Sequence, residues 1–107
     1  MSYWISLVKD NEIVTVEPHQ HGGTYVLGGT DTAEINVTCN YSKHFYTKDL
    51  HGKTGAETIP MLQGAVNRLG VARDVDYWNP TPGNVGYNCS ILLEWAKQHP
   101  EAVWDVS

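Results

Sequence analysis

The sequence predicts an α+β domain: an antiparallel sheet of four or five strands, mostly N-terminal, with two helices packed on one of its faces. Three observations carry this. Short β-rich runs divided by turn residues fill the first part of the chain, apolar residues recur at helical spacing in two later stretches, and 107 residues hold one core but not two. The chain therefore reads as a single domain over residues 1–107.

"YWISLV" (3–8) and "IVTVE" (13–17) flank Lys9-Asp10-Asn11-Glu12, a pattern that predicts a hairpin. Pro18 has no N–H to give to a ladder and ends the second run. "TYVL" (24–27) follows between Gly22-Gly23 and Gly28-Gly29, pairs suited to tight connections. "AEINVTCNYS" (33–42) then alternates, with Ile35, Val37, Cys39 and Tyr41 on one side and Glu34, Asn36, Thr38, Asn40 and Ser42 on the other. An extended segment from Ile35 to Tyr41, apolar side to the core, is the expectation on which this architecture rests. Its polar side is nearly all neutral hydrogen-bonding groups, the composition of a wet strand face or of a recognition surface.

The second half reads as helices. Residues 43–55, "KHFYTKDLHGKTG", show no clear period and no assignable role. Ile59, Leu62, Ala65, Val66 and Leu69 then recur at helical spacing, with Gly70 placed as a C-cap. Two starts compete: Thr54-x-x-Glu57 matches a capping box but leaves Pro60 beyond the first turn, whereas Thr58 as N-cap keeps Pro60 within it and is preferred. After "VARDVDYW", Pro80 and Pro82 hold Asn79 and Thr81 extended, and Asn84 is the expected cap of a helix beginning near Val85. Val85, Cys89 (or Asn88), Leu92, Trp95, Ala96 and His99 form its stripe, Pro100 ends it, and alternating "AVWDV" supplies a last strand. The expected core is Ile35, Val37, Tyr41, Leu62, Val66, Leu69, Leu92 and Trp95.

Composition narrows the partners. Seven scattered cations against twelve acids give a formal charge of −5, which argues against duplex nucleic acid and suits solubility first, a basic protein surface as partner second. "YWISLV" is too short to span a membrane, and no secretory leader stands before it, so Cys39 and Cys89 are expected to be free thiols in the cytoplasm. The sequons at Asn36, Asn40 and Asn88 would then go unused. Four Trp and six Tyr against one Phe favour rings with one dry and one wet end.

Few motifs carry chemistry. "HGKTG" (51–55) ends like a phosphate-binding loop, but Thr47 stands where a Walker A motif needs glycine, so that reading is rejected. His19 and His21 could share one face of a strand, yet further metal ligands depend on the fold, and no metal or cofactor is assigned. Neither cysteine, nor Ser42 with His44, nor Asp74 with Asp76 sits in a catalytic signature. What remains is "DYWNPTPGNVGYN" (76–88), where Gly83 would allow close approach, a helix N-terminus would offer N–H groups to an anion, and Tyr77, Trp78 and Tyr87 could stack on a flat ring. With the polar strand face this makes a candidate ligand set: Asn36, Thr38, Asn40, Tyr77, Trp78, Gly83, Asn84 and Tyr87. The competing reading is structural, with Asn84 itself satisfying the helix N–H groups.

"YWISLV", "GGTYVLGGT", "INVTCNYS" and "PTPGNVGYNCSILLEWAKQHPEAVW" together resemble small proteins encoded by bacteriophages and prophages. The resemblance spans nearly the whole chain, with "TPGN" and "LLEWAKQHPEAVW" its most distinctive segments and residues 43–55 its weakest. It implies a cytoplasmic protein of an infected or lysogenic bacterium and brings no activity, cofactor or catalytic residue with it. The functional expectation is a non-enzymatic accessory protein that binds a host or phage protein, for instance a host defence component. The alternative is a binder of a small anionic or nucleotide ligand at the TPGN turn. An enzyme of unfamiliar type would need a His and a carboxylate together in a cleft. An exposed edge strand would permit an oligomer.

Overall fold

The computed structural model describes residues 1–17, 25–26 and 31–107, of Tyr25 and Val26 the backbone only. The strands are β1 (Ser2–Lys9), β2 (Glu12–Ile13), β3 (Tyr25–Val26), β4 (Glu34–Thr38) and β5 (Val103–Val106). They form one antiparallel sheet in the order β2-β1-β4-β3, with β5 on the free edge of β1. β1 is the centre of this sheet, since Ile5 stands opposite Ile35 on one side and Val106 on the other. The predicted hairpin turns at Asp10 (φ 54°) and Asn11 (φ 65°), the left-handed pair that a two-residue turn demands and that Asp and Asn tolerate.

The register places Ile5, Leu7, Ile35, Val37, Trp104 and Val106 on one buried face. The core above it is completed by α1 (Gly55–Leu69) and α2 (Pro82–Gln98). Trp104 ties sheet to helix: its indole N–H donates to Thr58 Oγ1 at 2.8 Å in the interior. α1 buries a narrow stripe, Gly55, Thr58, Leu62 and Ala65, while α2 buries most of its residues from Gly83 to Ala96. Of the expected core, Ile35, Val37, Tyr41, Leu62, Leu92 and Trp95 are buried, and Val66 and Leu69 are half-buried against them.

Three expectations need correction. β4 stops at Thr38, where the Thr38 hydroxyl accepts the Asn40 N–H at 3.3 Å and starts a 3-10 turn over Cys39–Lys43. Local side-chain capping has replaced the ladder there, so Tyr41 reaches the core from the turn and not from a strand. α1 begins at Gly55, not after Thr58: the capping box is complete, with Thr54 Oγ1 accepting the Glu57 N–H at 3.2 Å and Glu57 Oε1 accepting the Thr54 N–H at 3.0 Å. Pro60 is tolerated inside the helix because the carbonyl it leaves without a donor belongs to Ala56, which is exposed to water. α2 begins at Pro82 with Thr81 as its cap, Thr81 Oγ1 accepting the Asn84 N–H at 3.1 Å. Asn84 is therefore not the cap.

The aperiodic stretch 43–55 has a structural task. After a second 3-10 turn at Thr47–Leu50, it lies along the outer edge of β5. Gly52 N–H donates to Trp104 O and Trp104 N–H to Lys53 O, both at 2.9 Å, while Lys48 Nζ donates to Val106 O at 2.7 Å and Val106 N–H to His51 Nδ1 at 3.1 Å. That covers an edge which would otherwise offer unpaired groups to another chain.

Candidate functional site

The segment between the helices, residues 70–81, has no regular structure but is tightly held. Gly70 (φ 74°) ends α1 by donating its N–H to Val66 O at 2.9 Å. The chain then runs in backbone contact with the first turns of α2. A β-carbon added to Gly83 would stand 1.9 Å from the Ala72 carbonyl oxygen, and one added to Gly86 would stand 1.7 Å from that of Gly70. Only glycine fits at either place.

Asn84 fastens the rest. Its side chain is buried, Oδ1 accepting the Asp74 N–H at 2.8 Å while Nδ2 donates to Asn79 O at 2.7 Å and Asp76 O at 3.1 Å. Two aspartates add local turns: Asp74 Oδ1 accepts the Asp76 N–H at 3.0 Å, and Asp76 Oδ1 accepts the Trp78 N–H at 3.1 Å. From below, the Tyr41 hydroxyl donates to Tyr77 O, and burial, the main influence, pushes that phenol above its ordinary range.

On this fixed backbone the outward side chains are apolar and acidic. Val75 is 104% exposed, Trp78 50% and Tyr77 38%. The Tyr77 and Trp78 rings stack with centroids 5.6 Å apart and planes 27° from parallel. Arg73, the cation of the segment, is turned back over the Tyr87 ring, 4.5 Å from its centroid. Asp74 and Asp76 leave the segment with two carboxylates to this one cation.

Of the sequence-predicted residues, the fold gathers Tyr77, Trp78, Gly83, Asn84 and Tyr87 around this segment. It does not gather the polar row with them as one face. Asn36 and Thr38 are buried on β4, and Asn40 is exposed in the 3-10 turn that follows. Gly83 faces the Ala72 carbonyl and the Asn84 amide is occupied by the chain's own backbone, so both serve packing. Sequence reasoning noted Asp74 and Asp76 as a pair outside any catalytic signature; it missed their turn-forming role and the exposed Val75 between them, for which the D-x-D spacing before Tyr77-Trp78 was the available signal. Asn88, named from the sequence only as an alternative stripe residue and a sequon, is 1% exposed, and neither amide atom has a partner among the described residues.

Elsewhere the chemistry is sparse. Cys39 and Cys89 are free thiols, and burial pushes that of Cys89 up to about 12. His19 and His21 lie outside the described residues; among the described residues no three His, Cys, Asp or Glu side chains gather as metal ligands. No described helix is long and apolar enough to cross a membrane. A groove of about 380 Å³ lies between the β1–β2 hairpin and the end of α2, lined in part by Lys9, Glu12, Val14 and His99. There His99 Nε2 bonds the Thr15 carbonyl at 2.5 Å, a main-chain partner and not a carboxylate. Comparison with protein-family models, curated proteins and solved structures finds no match for the chain.

Proposed function

We propose that this chain is a non-enzymatic protein-binding module whose contact surface is the 71–79 segment. The observation that carries the reading is the exposed Val75 and stacked Tyr77–Trp78 set on a backbone already held by Asn84. Rigid aromatic side chains bind tightly because little freedom remains to be lost on association, and Trp and Tyr are the residues that most often dominate protein interfaces. The ligand alternative draws less support, since Gly83 and Asn84 serve the chain's own packing. The resemblance to bacteriophage and prophage proteins adds the setting: an accessory protein in the bacterial cytoplasm that acts on a host protein, a defence component among the candidates.

A photo-crosslinking side chain at Val75 or Trp78, compared with one at exposed Glu94 on α2, tests this in host lysate. A discrete product from the first two positions and not the third is expected. Identical patterns at all three, or no product, would remove the proposal.

A further inference from the structure

We infer that the partner presents an arginine side chain to the Tyr77–Trp78 pair, with Asp74 and Asp76 holding its guanidinium; the inference rests on the 71–79 segment being the contact surface. Charge is the first argument. The chain carries −5, and the segment that displays the rings holds two carboxylates, Asp74 and Asp76, against one cation, Arg73, which lies over the Tyr87 ring. An acidic or phosphorylated partner would meet like charge there.

Geometry is the second argument. Each aspartate accepts a backbone N–H at Oδ1, which fixes the carboxylate in place and leaves acceptor capacity on it. Asp76 Oδ2 accepts from no described residue, and Asp74 Oδ2 receives only the long 3.4 Å contact from Asn79 Nδ2. A fixed carboxylate beside a half-exposed indole matches a group that is planar, cationic and a bidentate donor. Arginine is all three, while lysine is a compact, strongly hydrated point charge. The ring half of such a contact occurs within the chain, where Arg73 lies 4.5 Å over the Tyr87 ring.

The test titrates the full ¹⁵N-labelled chain with short blocked peptides rich in arginine, in lysine, or in citrulline, the neutral isostere of arginine. The arginine peptide is expected to shift the Trp78 indole N–H and the amides of residues 74–78 saturably, the lysine peptide to bind several-fold more weakly, and the citrulline peptide to leave them unmoved. Trp78→Ala and Asp76→Asn should each weaken arginine-peptide binding by about five-fold or more. Asp76→Asn keeps the oxygen that accepts the Trp78 N–H, so unchanged amide positions in the free variant verify that the loop persists. Equal shifts from citrulline, shifts spread over the acidic surface and indifferent to Trp78→Ala, or no shift at millimolar peptide would each overturn the inference. If crosslinks at Val75 and Trp78 still trap one protein while the peptides fail, the arginine assignment falls and the binding surface stands.

Discussion

Two asparagines a helical turn apart on α2 have opposite circumstances. The Asn84 side chain makes three hydrogen bonds to the 74–79 backbone and that of Asn88 makes none to any described residue, though both are buried. Removing one member of a buried bond leaves its partner unsatisfied, whereas removing an already unsatisfied amide relieves a desolvation penalty. Asn84→Ala is therefore expected to destabilise the fold by about 2–4 kcal/mol, and Asn88→Leu to raise stability by about 1 kcal/mol or more, both read from urea unfolding. A loss of stability in Asn88→Leu would show that the amide has a partner. Asn84 also marks where the sequence stops being legible. Thr81 and Asn84 are both good caps, and the prolines suit either. Asn84 is drawn instead to the preceding loop, a long-range demand that no local pattern expresses.

At the scale of elements, the glycines separate propensity from packing. Gly64 faces open space on α1, while Gly83 and Gly86 sit against carbonyl oxygens. Gly64→Ala should stabilise by about 1 kcal/mol on helix propensity, and Gly83→Ala should destabilise despite the same propensity gain, as thermal melts would show. The opposite order would mean that the loop does not lie against α2. The capping box gives a pH signature. The Thr54 backbone N–H, then its hydroxyl, holds the Glu57 carboxyl below its usual range. Because the folded value is depressed, its contribution is full above the unfolded carboxylate range and is lost as pH falls through the folded value. Glu57→Gln keeps an acceptor but cannot titrate, so its stability should fall less steeply on acidification; an unchanged acid slope would count against the box. Hydrophobic spacing announced both helices and β4, because burial on one face sets that spacing. It could not announce the end of β4, because Cys39 and Tyr41 extend the alternation by coincidence while Thr38 caps a turn.

For the whole molecule, the α+β class was legible because binary patterning depends only on which face is dry. The edge-covering role of residues 43–55 was not, since it rests on backbone bonds to β5 from a segment without periodicity. The candidate surface was half legible: Tyr77 and Trp78 could be named from composition, but their display depends on how α1, α2 and the intervening chain close on one another. Acidic charge and exposed rings alone would describe many proteins. What distinguishes this one is that Asn84 holds the backbone on which the rings are displayed.

Native-state amide exchange addresses that fixity most directly. The N–H groups of Asp74, Asp76 and Trp78, bonded to Asn84, Asp74 and Asp76, should exchange slowly, at rates comparable with Val85 of α2. Those of Val75 and Tyr77, which donate to no described residue, supply the fast reference. Asn84→Ala should bring the Asp74 amide to that reference rate. Exchange of Asp74, Asp76 and Trp78 as fast as an unstructured chain in the native protein would contradict a pre-formed surface.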